Sequence, residues 1–128
     1  MLKTLKHLSQ AIEFTRLPKE MRRVVFYSEG KSYWPIFKGL IDGILDQSEL
    51  NVCYITSGKG DPGIEYSDNQ YKSFVIDDGY VRNWFFENIQ TDILIMTMPD
   101  LNQYQVKRSK HPVHYIYIQH ALMSLHMV

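Results

Sequence analysis

Arg23-Val24-Val25-Phe26-Tyr27-Ser28-Glu29-Gly30-Lys31-Ser32 is the stretch that decides the fold. Arg23 to Tyr27 is rich in β-branched and aromatic side chains and reads as an inner strand. The polar residues that follow turn the chain. Ser32 to Gln47 then reads as a helix with Tyr33, Ile36, Phe37, Leu40, Ile41 and Ile44 on one stripe. Downstream the alternation recurs. Asn51 to Thr56 is a second strand and Lys72 to Ile76 a third. Asp77 and Asp78 place acids at the start of a helix from about Tyr80, with Val81, Trp84, Phe85 and Ile89 facing inward. Asp92 to Met98 makes a fourth strand and Val113 to Gln119 a fifth. Continuously apolar strands separated by helices predict a parallel sheet covered on both faces. Right-handed crossovers with one reversal give the order 3-2-1-4-5, with the first strand central. The connection from Ser57 to Tyr71 carries no helical stripe and reads as loop.

A chain of 128 residues fits one domain, and 45% hydrophobic content is enough to fill its core. Fourteen basic and fourteen acidic residues cancel, so no global field draws nucleic acid, and none is expected as a partner. The single cysteine, Cys53, lies inside an apolar strand and reads as a buried structural thiol in a reducing compartment. No apolar stretch approaches the roughly 20 residues of a spanning helix. Residues 1–20 form an amphipathic helix and linker ahead of a domain at 21–128. Leu5, Leu8 and Ile12 make one face of that helix, for packing on the domain or for docking on a membrane or partner.

Several motifs imitate chemistry. Gly58-Lys59-Gly60-Asp61-Pro62-Gly63 has dinucleotide-loop spacing, but Ile64 to Asn69 carry no helical stripe and Asp61 would repel a phosphate. Gly30-Lys31-Ser32 resembles the end of a phosphate-binding loop, yet Val25 stands where its first glycine belongs. An anion held by Lys31 and the helix start remains reasonable there, beside a plain strand-to-helix turn. His111, His114, His120 and His126 cluster in sequence. On a straight strand His114 and His120 are about 20 Å apart, too far to share one metal ion. No metal site and no cofactor is expected.

Three strand ends converge on one edge in this order: Ser28-Glu29-Gly30-Lys31, Met98-Pro99-Asp100 and Gln119-His120. In open α/β sheets ligands sit beyond the carboxyl ends of the strands. His120 there has an imidazole whose ordinary pKa suits proton transfer near neutrality. Phe26 to Pro35, Met96 to Leu101, Lys107 to Tyr115 and the Gln119-His120 segment together resemble the CDP-glycerol glycerophosphotransferase family, over about Arg22 to Val128. The resemblance implies the amino-terminal, acceptor-side half of a glycosyltransferase-B fold, itself Rossmann-like, with the nucleotide donor domain outside these residues. Members transfer glycerol phosphate from CDP-glycerol to an acceptor hydroxyl in teichoic-acid-type polymer synthesis at the inner face of the cell membrane, releasing CMP.

In that family a strand-end histidine in a Trp-His-Gly-Thr-Pro context serves as base. His120 is the matching position, although Gln119 precedes it and Ala121-Leu122-Met123 follow. The resemblance therefore implies His120 as catalytic base. Ser28, Glu29, Gly30, Lys31, Pro99, Asp100 and Gln119 would bind the acceptor, a phosphate-containing polyol or glycan. A cytoplasmic location with peripheral membrane contact follows from the same likeness. The isolated chain is expected to be inactive or nearly so, and to self-associate through an open fifth strand. A packed strand-end histidine, a non-catalytic binding domain and another nucleotide-sugar glycosyltransferase stand as alternatives.

Overall fold

The computed structural model describes residues 2–77, 79–97 and 109–118. Strand β1, Val24–Ser28, is buried along its whole length, as a strand covered on both faces must be. It pairs in parallel with β2 (Val52–Thr56) on one side and β4 (Ile93–Thr97) on the other. The strands β3 (Tyr71–Val75) and β5 (His114–Ile118) complete the sheet in the order β3-β2-β1-β4-β5. This five-stranded, all-parallel α/β sheet has the order expected from sequence.

Alternate side chains of β1 enter two separate cores. Val25 and Tyr27 join Cys53, Ile55, Leu94 and Met96 beneath helices α1 (Leu2–Thr15) and α3 (Gly79–Asn88). Val24 and Phe26 join Val52, Tyr54 and Ile95 beneath α2 (Trp34–Gln47). Each fully buried large side chain contributes roughly 1.5–3 kcal/mol, so both layers hold the sheet.

The helices bury much of the expected stripes, Phe37 and Ile41 in α2 and Val81, Phe85 and Ile89 at α3, and depart from them at single positions. The residues Lys31–Tyr33 form a 3-10 turn, so α2 begins at Trp34 with Pro35 in its first turn. Trp34, Phe37 and Ile41 are buried and Leu40 is 43% exposed. In α3, Phe86 is buried against Tyr27, with ring centroids 4.7 Å apart, and Trp84 stands 42% exposed. Asp77 precedes α3, whose first turn holds no acid, and Asp78 lies outside the described residues.

Helix α1 packs on the domain by His7, Ala11 and Phe14, spaced i, i+4, i+7. Phe14, the largest apolar side chain of α1, meets Phe74 and Phe85 edge-to-face at 5.8 and 5.1 Å and sets that choice. Leu5, on the expected face, is 58% exposed. The same buried side supplies acceptors for the edge strand. Gln10 Oε1 accepts from Val75 N at 2.8 Å, and His7 Nδ1 accepts from Asp77 N at 3.1 Å. Side chains of α1 thus take up donors that an open sheet edge leaves unpaired. Among the described residues, no helix is long and apolar enough to cross a membrane.

Candidate functional site

The strand order makes β1, β4 and β5 neighbours, so their carboxyl ends share one edge. Tyr27 is level with Met96, and Thr97 with Ile118. The chain leaves all three strands there, where crossovers in open α/β sheets expose ligand sites. Pro99, Asp100, Gln119 and His120 lie outside the described residues. The β1 end is described in full.

Ser28 is buried, and its hydroxyl closes the turn that follows. Its Oγ donates to the Gly30 carbonyl at 2.8 Å and accepts from Gly30 N at 3.3 Å. Ser28 is thereby a builder of the loop. Glu29 and Lys31 are exposed on that loop, and neither makes an ion pair within the described residues. No side chain caps the 3-10 turn or α2. A helix start without a side-chain cap, next to a free ammonium, suits an anion.

Beneath the loop lies a second, buried layer. Ser57 N donates to Ser28 O at 3.0 Å, which ties the β2 end to the β1 end. A Cβ on Gly58 would stand 2.6 Å from the Gly30 Cα, so only glycine lets these two loops touch. At Gly63 an added Cβ would stand 2.3 Å from the Tyr54 ring. Gly60, with φ +67°, supplies the left-handed residue between them. These glycines pack loop on loop.

Asp61 organises that layer. It is 2% exposed, and its Oδ2 accepts from the hydroxyls of Tyr54 at 2.8 Å and Thr56 at 2.7 Å. Its Oδ1 accepts from Gly63 N at 2.9 Å. A buried carboxylate needs such partners. Burial drives the Tyr54 phenol well above its ordinary range; the Ser28 hydroxyl pulls it down, and Asp61 pushes it further up. Tyr71 is raised likewise, first by burial and then by Tyr54 and Asp61.

A solvent-side staple fixes the loop to α2. The Tyr66 hydroxyl donates to Asp42 Oδ1, and Lys38 pairs with Asp42 Oδ2 at 2.7 Å. The Asp42 carboxylate lifts the Tyr66 phenol to about 12, helped by desolvation, while Lys38 and Tyr66 hold the Asp42 carboxyl below its usual range.

The sequence reading missed the buried role of Asp61. The signal available was Tyr54 and Thr56, two residues apart on one strand and hence on one face, followed by Asp-Pro. Among the described residues no three His, Cys, Asp or Glu side chains gather to hold a metal ion. The His111 ring meets the Gln90 amide at 3.2 Å, and His114 lies exposed on β5. Compared with known protein families, curated proteins and solved structures, the chain matches none.

Proposed function

We propose that this domain is the acceptor-binding half of a glycerophosphotransferase-like enzyme, which moves glycerol phosphate from CDP-glycerol to the hydroxyl of a phosphate-containing polyol or glycan. The observation that carries the reading is the adjacency of β1, β4 and β5. Their ends bring the Ser28–Lys31 turn to the same edge from which the chain departs toward Pro99-Asp100 and Gln119-His120. The resemblance of these segments to the family supplies the reaction class.

In this mechanism the donor nucleotide occupies a second domain, which these 128 residues do not include. Lys31 and the N–H groups at the start of α2 hold a phosphate of the acceptor, and Glu29 accepts from its hydroxyls. His120 removes the proton from the attacking oxygen as that oxygen bonds to the β-phosphorus of CDP-glycerol. The phosphoanhydride bond breaks and CMP leaves. Phosphoryl transfer depends mainly on positioning and charge stabilisation, which a buried scaffold under the turn favours. Work of this kind takes place beside the inner membrane face, through peripheral contact.

Titration calorimetry with a short glycerol phosphate oligomer tests the acceptor role. Lys31→Gln is expected to weaken that binding about 10-fold, with the thermal midpoint unchanged because Lys31 is exposed and unpaired. Binding that is absent from the parent chain, or unaffected by Lys31→Gln, contradicts the assignment.

A further inference from the structure

The opposite edge of the sheet carries a hollow that the transfer reaction does not use. It lies where β1, β4 and β5 begin. Lys19 and Arg22 precede β1, Gln90 to Asp92 precede β4, and His111 precedes β5. Its volume is about 250 Å³, and a neighbouring hollow of about 420 Å³ shares Arg22, Gln90 and His111 with it. Lys110 and the exposed Trp84 line the second part. The two make one groove of a size that suits a small ligand.

Internal hydrogen bonds position several polar groups of this groove. Arg22 Nε donates to Leu17 O at 3.0 Å and its Nη1 to Gln90 O at 3.2 Å. Those bonds fix the guanidinium and use two of its N–H groups, leaving the remainder of the fork for an oxyanion. Within the described residues Lys19 and Lys110 have no ion-pair partner. Gln90 Nε2 meets His111 Nε2 at 3.2 Å. Three permanent cations thus stand against one carboxylate, Asp92. Asp92 is exposed, and among the described residues its carboxylate makes no hydrogen bond or ion pair, which leaves it to accept from hydroxyls on a ligand.

We infer that the groove at the amino edge of the sheet binds a phosphate monoester carried on a hydroxylated group. Arg22, Lys19 and Lys110 hold the phosphate, and Asp92 accepts from the hydroxyls. The carrier is a sugar phosphate or a nucleotide, and the Trp84 indole, 42% exposed, is the wall on which a base would stack. The site is independent of the acceptor edge and stands whether or not the proposed transfer does.

The test follows fluorescence of the full chain, in which the other tryptophan, Trp34, is buried. Ribose 5-phosphate is expected to bind saturably with Kd of about 1 mM or tighter, and ribose not at all. Lys19→Gln with Lys110→Gln should weaken it at least 10-fold with the melting temperature unchanged. Asp92→Asn should tighten inorganic phosphate and remove the preference for ribose 5-phosphate over it. A nucleoside monophosphate that binds more tightly and quenches Trp84 marks a nucleotide as the carrier; equal binding marks a sugar phosphate. Absence of saturation at about 10 mM, or unchanged affinity in the double lysine variant, overturns the inference.

Discussion

Asp61 is the residue on which the carboxyl-edge scaffold turns. Removing its carboxylate orphans the Tyr54 hydroxyl, the Thr56 hydroxyl and Gly63 N together. Each unsatisfied buried group costs about 1–3 kcal/mol, partly offset by relaxation. Asp61→Ala is therefore expected to lose about 3 kcal/mol in urea unfolding, and Asp61→Asn about half that, since an amide still pairs with hydroxyls. Equal losses would show that the network is not the cause. Protonation adds a second test at the same scale. Burial pushes the Cys53 thiol from 9.0 up to about 12, and Tyr54 and Tyr71 rise as well. These acids stay neutral in the folded chain while the unfolded chain releases their protons. Stability is then full below about pH 9 and falls as pH rises toward 12, by about 1.4 kcal/mol per pH unit for each such group. Urea midpoints measured from pH 8 to 11 should decline; a flat profile would mean the groups titrate alike in both states. None of this was legible from Gly58 to Gly63 as a string. The spacing looked like a phosphate cradle, and burial of Asp61 depends on where β2 places Tyr54 and Thr56.

Helices were legible as elements and largely in phase, with Leu5, Leu40 and Trp84 exposed against expectation. The 3-10 turn over Lys31–Tyr33 moves the start of α2 to Trp34, which joins Phe37 and Ile41 in the core while Leu40 is left exposed. In α1 Phe14 and Ala11 set the buried face, with Leu8 packed at its border and Leu5 left exposed. Strand ends moved by only a residue or so, because an inner strand is read from its burial on both faces. Helix α2 also carries Gly39 and Gly43, where an added Cβ meets nothing within 4 Å. Glycine inside a helix costs about 0.5–1 kcal/mol relative to alanine. Gly39→Ala and Gly43→Ala should each raise stability by that amount in denaturant titration. A loss at either position would reveal a contact made by that face of α2.

At the scale of the molecule the topology was the most legible feature. Continuous apolar strands require cover on both sides, alternating helices supply it, and handedness leaves few strand orders. The order then dictates which loops meet, and so where a site can be. Which ligand comes there was not legible from topology, because one α/β sheet serves many chemistries. That knowledge rests on side chains at the edge, and the proposed base, His120, carries the central claim. The most direct measurement is CMP release from CDP-glycerol by this chain joined to the donor domain of a glycerophosphotransferase. The account predicts acceptor-dependent turnover that falls roughly 10²-fold in His120→Ala, with KM for CDP-glycerol unchanged because the nucleotide sits in the other domain. Equal turnover with and without the imidazole, or CMP release that ignores the acceptor, would contradict it.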